Sequence, residues 1–191
     1  MRRAIVIGRA RGVWEEVAAL REMAEFDATV VIGKVAIICP GEITHWVSFH
    51  ASVLPKWAGE RRANGYPDAA SYWTSRYKGK PLAPEVESLP LGRVACDGGS
   101  SGLIGVVVAL EKIGADRVAL AGIPMDNERG HVDEAKDWNE AQHYRSTWNV
   151  MLPRLLGKVR SMSGWTMNLL GGSPPTREWL MGEGGGSCSV G

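Results

Sequence analysis

Short β-branched runs that close on glycine and lead into segments of helical period recur along this chain. Ala4-Ile-Val-Ile-Gly8 is the first, apolar at every position before its glycine. A run of that kind suits a strand covered on both faces rather than a half-exposed one. Gly8-Arg-Ala-Arg-Gly12 turns the chain, and Val13, Val17, Leu20 and Met23-Ala24 then return at helical spacing. Strand, polar turn and helix reappear at Arg93-Val-Ala-Cys96 with Leu103–Ile113, and at Arg117–Gly122 with Asn139–Leu156. Strands that alternate with helices need crossover connections, which pair them in parallel. The expected fold is therefore a single Rossmann-like α/β domain with a mainly parallel sheet and helices on both faces.

The remaining elements read less regularly. Thr29–Ile32 and Val35–Cys39 are strand-like and separated by Gly33-Lys34, and Trp46-Val-Ser-Phe-His50 is a strand whose last residue is a histidine. Residues 51–92 hold a short helix from Leu54 to Arg62, then Asn64-Gly65, Pro67, Pro81, Pro84 and Pro90 with little periodicity. That stretch is too long for a connector and reads as a loop-rich excursion, over the site or over the surface. Pro153 should distort the last turn of its helix. Lys158–Met162 is a closing strand, Thr166 a candidate cap for a short helix, and Thr176–Leu180 one further turn. The domain is expected to span residues 1–181, with Gly182–Gly191 as a flexible glycine-rich tail.

Composition narrows the function classes. A length of 191 residues fits one domain, and a net charge of +1 supplies no global field toward nucleic acid or membrane. Arg61-Arg62 with Arg76, Lys78 and Lys80 could still form a local basic patch, so nucleic acid is not excluded as a partner. Three cysteines, Cys39, Cys96 and Cys188, lack the pairing for a disulfide framework or zinc ribbon. The four-residue apolar run after Met-Arg-Arg is shorter than a secretory core, and no stretch reaches the ~20 apolar residues of a membrane span. A cytoplasmic protein with no membrane partner is expected. Eight tryptophans are spread over the chain and serve packing, with pocket lining as the alternative.

In such a sheet the ligand sits beyond the carboxyl ends of the strands. Asp97-Gly-Gly99-Ser100-Ser101-Gly102 lies there, between a strand and a helix start. Glycine permits close approach, and free N–H groups, the helix dipole and two hydroxyls suit a phosphate or carboxylate. A plain turn with an N-cap is the other reading. It matches neither the dinucleotide fingerprint nor the P-loop. Gly8-Arg9-Ala-Arg11-Gly12 occupies the equivalent place after the first strand, where two guanidiniums suit a phosphate or simply face solvent. Asp126 follows a strand, and His131 follows it by five residues as a candidate general base, with His50 as a second candidate. His45 and His143 read as structural. No Gly-x-Ser-x-Gly elbow, Cys-x-x-Cys pair or His-Glu-x-x-His helix is present, and no metal site is expected.

The segment from Ser100-Ser-Gly-Leu-Ile-Gly through Ala115-Asp-Arg-Val-Ala-Leu-Ala-Gly-Ile-Pro-Met-Asp126 resembles one stretch of bacterial sialyltransferase-like proteins. Pterin-diphosphokinase-like (MptE-like) proteins share it. Ile5-Val-Ile-Gly8 resembles the nucleotide-binding start of those families, and Val159-Arg-Ser-Met-Ser-Gly164 their closing strand. The chain also looks like small hypothetical proteins of tailed phages. Arg9 and Arg11 depart from the small polar residues expected after the first strand, and Ile123-Pro-Met125 precedes the aspartate. The resemblance implies a nucleotide or nucleotide-sugar donor held by Gly8 and Ser100–Gly102, and a histidine base acting on an acceptor. The expected function is a nucleotide-dependent glycosyl or phosphoryl transferase; the alternative is a non-catalytic nucleotide binder.

Overall fold

The computed structural model describes residues 1–75, 86–89, 100–127, 130–132 and 140–183. Among the described residues seven strands form one sheet: β1 (Arg3–Ile7), β2 (Ala28–Ile32), β3 (His45–Val47), β4 (Ser71–Ser75), β5 (Val86–Leu89), β6 (Arg117–Ala121) and β7 (Val159–Ser161). Their order is β5-β4-β3-β2-β1-β6-β7, and every pairing is parallel. The chain runs outward from β1 to β5, then returns to the other side of β1. That reversal puts the topological switch point between β1 and β6, where open parallel sheets form their ligand crevice. The Rossmann-like α/β expectation is met.

Helices cover both faces. α1 (Val13–Met23), α2 (Leu54–Ala63) and α6 (Arg177–Met181) close one face, packing Val17, Leu20, Leu54, Ala58 and Leu180 on Ile5, Ile7 and Val31. α3 (Ser101–Val107) and α4 (Ala141–Leu155) close the other, joined at its end by α5 (Gly164–Leu169). The unbroken apolar run of α3 is explained by its position as a middle layer. Gly102 through Ala109 are all buried, with the sheet on one side and Trp148, Met151 and Leu155 of α4 on the other. Gly105 lets the helix settle close, since a Cβ there would stand 3.0 Å from Val6 and 3.1 Å from Ile32. The helix continues through a π-turn over Val108–Lys112, in which Ile113 N–H donates back to Val108 O at 3.1 Å.

Several expectations need correction. Val35–Cys39 is not a strand: Gly33–Ile37 is a 3₁₀ turn, because Gly33 takes φ 61° and bends the chain off the sheet after β2. Within the 51–92 stretch the described residues supply α2, β4 and β5, and residues 76–85 and 90–92 lie outside the described residues. Its strand signal is hidden in Ser71-Tyr-Trp-Thr-Ser, where polar residues sit within a buried strand. Arg61 belongs to no basic patch. It is fully buried and donates to Ala36 O, Cys39 O, Gly41 O and Pro67 O at 2.6–2.7 Å, clamping the loop after β2 onto α2. Arg62 pairs with Asp68 at 2.8 Å, while Arg76, Lys78 and Lys80 lie outside the described residues. Thr166 does not cap α5, which starts after Ser163; it is buried within the helix and donates to Ile123 O at 2.5 Å. The strand expected at Arg93–Cys96 and the tail from Gly184 also lie outside the described residues.

Candidate functional site

The switch point is tightly shut at its base. Gly8 N–H donates to Ala121 O at 2.7 Å and Ala10 N–H to Gly122 O at 3.1 Å, so the turns after β1 and β6 run side by side. A Cβ on Gly8 would fall 2.3 Å from Gly122 O, which explains glycine there without any ligand. Gly122 N–H is taken by the Glu16 carboxylate at 2.7 Å. Glu15 and Glu16 therefore put negative charge in the first turn of α1, the place where a phosphate would gain most from that helix.

The start of α3 carries no such charge. Ser100 is its N-cap, accepting Leu103 N–H at 3.3 Å, and the buried Trp148 indole donates to the same oxygen at 3.2 Å. Both acceptor positions of the Ser100 hydroxyl are thus filled, leaving only its hydrogen to offer. Ser101 Oγ accepts Phe49 N–H at 3.0 Å, which joins the end of β3 to this turn. Gly102 lies under Ile123, where a Cβ would meet that side chain at 3.2 Å. Gly99 lies outside the described residues.

Asp126 is reached through a bent turn. Gly122 has φ 66°, and Met125, a residue with a side chain, has φ 51°. A non-glycine residue in the left-handed region costs roughly 1–2 kcal/mol. The turn is held by Arg145 Nε donating to Met125 O at 2.9 Å, with the guanidinium 5.0 Å over the Trp165 ring. Thr166 N–H on Pro124 O at 3.1 Å adds a second tie. Asp126 Oδ1 is buried and has no hydrogen-bond partner. Its other oxygen stands against Gly164, where a Cβ would come within 2.5 Å. A strained residue and an unpartnered buried acceptor stand next to each other.

The sequence-derived candidates fall into three neighbourhoods. Gly8, Arg9, Arg11 and His131 are brought together, because residues 9–11 pair antiparallel with 130–132 and Ala10 stands opposite His131. Arg11 N–H donates to Gly130 O at 2.9 Å and Val132 N–H to Arg9 O at 2.7 Å. Ser101 is joined instead to the β3 end, and His50 is exposed just past it, its N–H on Ser48 Oγ at 3.0 Å. Asp126 stands at the ends of β6 and β7. Sequence reading missed Trp148 and Gly164; only the Ser163-Gly164 turn after a strand could have pointed to the latter. Among the described residues no group of three or more His, Cys, Asp or Glu could hold a metal ion. Nor is any helix among them long and apolar enough to cross a membrane.

No family model matches the chain, and no curated protein matches it in sequence. Among solved structures it is similar to a mammalian sialyltransferase crystallised with Gal-beta-1-3GalNAc-ortho-nitrophenol. The two are 12% identical, the match covers 85% of this chain and 70% of that one, and the TM-score is 0.47. A likeness that loose transfers no residue role.

Proposed function

We propose that the chain is a nucleotide-dependent transferase that holds the phosphate of its donor on the Ser100–Gly102 turn and moves a glycosyl or phosphoryl group. The observation that carries this reading is the Ser100 hydroxyl, whose oxygen already accepts from Leu103 and Trp148. A hydroxyl that can only donate selects an acceptor, and a phosphate oxygen at an uncharged helix start is the matching group. At α1, by contrast, Glu15 and Glu16 oppose an anion.

Asp126 has the complementary deficit. Its buried Oδ1 has no donor, so a hydroxyl or amine of the second substrate supplies one. His131, held against Ala10 across the β1 turn, is the proposed base, and Arg9 and Arg11 flank the donor. His50 is the next candidate.

The test is incubation of the purified chain with nucleotide sugars and nucleoside triphosphates, read by mass spectrometry for donor cleavage. Turnover that falls by about 10²–10⁴-fold in His131→Ala, with donor affinity retained, is the expected result. A donor bound but left intact by the wild-type chain would replace the transferase with a binder.

A further inference from the structure

The far end of the sheet gathers three arginines, with no carboxylate of the described residues paired to their guanidiniums. Arg3 and Arg117 open β1 and β6 and are direct partners in the register, so their side chains share a face. Arg160 of β7 pairs with Ala119, two residues along from Arg117, and shares that face as well. Trp179 of α6 lies among them, its ring 5.3 Å from the Arg117 guanidinium and 5.0 Å from that of Arg160.

Like charges directly across a strand pair repel, and such a cluster ordinarily recruits acids. The nearby acids each give a carboxylate oxygen to a backbone N–H, not to a guanidinium of the cluster: Asp27 accepts Arg3 N–H and Asp116 accepts Arg2 N–H, both at 2.7 Å. Arg117 spends Nε on Trp179 O at 3.1 Å and Nη1 on Asp116 O and Gly157 O at 3.2–3.3 Å. Among the described residues Arg160 makes one hydrogen bond, to Pro174 O at 3.4 Å, and Arg3 Nη1 meets Met181 Sδ at 3.0 Å. Among the described residues no partner takes Nη2 of Arg117 or Nε and Nη2 of Arg160, and the Arg3 Nε is buried without a partner. Burial, and then the charge of Arg117, push the Arg160 pKa down.

We propose that Arg3, Arg117 and Arg160 form a second anion site around Trp179, which takes a phosphate dianion, free or as a monoester. Guanidinium forks match phosphate oxygens in pairs, and a dianion replaces the mutual repulsion with attraction. The site stands at the amino-terminal end of the strands, away from the Ser100 turn, and does not depend on the function proposed for that turn.

The full chain is titrated with inorganic phosphate and, separately, with glycerol phosphate, against sodium chloride of equal ionic strength, while backbone amide shifts are followed by NMR. The expected result is movement of Trp179 and Leu180 amides with phosphate and not with chloride, and about tenfold weaker binding there in Arg160→Gln. Equal response to both probes means the phosphate alone is recognised; a stronger response to glycerol phosphate means a monoester is preferred. Arg3→Gln should weaken binding likewise, and serves if Arg160→Gln does not fold. Shifts confined to Ser100–Gly102, or binding at α6 unchanged in a folded variant, would overturn the proposal and leave the donor site untouched.

Discussion

The Trp148 indole nitrogen lies 3.2 Å from the Ser100 hydroxyl oxygen, across 48 positions of sequence. This one bond ties α4 to the cap of α3 and sets the direction in which the hydroxyl can donate. Trp148 is fully buried, so Trp148→Phe removes both a hydrogen bond and packed volume. The expected loss is about 2 kcal/mol in urea unfolding. Nucleotide affinity measured by calorimetry should fall as well, because the Ser100 hydroxyl is then free to turn away.

Gly8 and Gly12 share one turn and make opposite demands. A methyl on Gly8 would collide with backbone, 2.3 Å from Gly122 O, and neither turn can retreat. Gly12 has φ 85° with nothing within 4 Å of a Cβ, so Gly12→Ala meets only backbone strain. Gly8→Ala should cost about 3 kcal/mol or more, and Gly12→Ala about 1–2 kcal/mol. Thermal melts of the two variants test the order; equal losses would deny the close approach of the β1 and β6 turns.

Asp126 should trade stability for function. Its buried Oδ1 has no donor, and an unmet buried acceptor costs about 1–3 kcal/mol. Asp126→Asn removes the charge and is expected to raise the melting temperature while lowering turnover. A variant that is less stable than wild type would mean that the carboxylate serves the fold.

The sheet was legible because its strands are short, apolar and β-branched, and buried parallel strands can hardly look otherwise. Ala4–Ile7 and Val118–Ala121 declare themselves in this way. β4 did not, since Ser71, Thr74 and Ser75 mimic a loop and only long-range pairing with β3 and β5 makes them a strand. Val35–Ile37 misled for the reverse reason, with strand-like residues turned aside by the backbone of Gly33. At the candidate site the glycines and serines could be read, but their partners could not. The Ser100–Trp148 bond and the Gly164–Asp126 approach join residues far apart in sequence, and no local pattern encodes them.

The His45 ring gives a pH dependence with a definite sign. His45 Nδ1 lies 2.5 Å from Ser71 Oγ and 3.1 Å from Trp73 Nε1, in a partly buried cluster between β3 and β4. Burial lowers the His45 pKa below its usual 6.5, against a smaller opposing effect of Glu87. Between the folded and unfolded values the unfolded chain binds more protons, so stability rises with pH there. This contribution is complete above pH 6.5 and is lost as pH falls through the lowered folded value. Melts from pH 7.5 to 5 should therefore show a decline in wild type that is reduced in His45→Gln. Parallel curves would contradict the assignment.

The central claim is that a phosphate rests on the Ser100–Gly102 turn, and Ser101→Asp tests it most directly. An aspartate in the first turn of α3 suits the helix and can still accept Phe49 N–H, so the fold should survive. It also places a negative charge where the phosphate is proposed to bind. Titration calorimetry with CMP and with ADP should show binding to wild type and at least about tenfold weaker binding to the variant. Equal affinity for both proteins, with the variant folded, would place the nucleotide elsewhere and remove the basis of the proposed function.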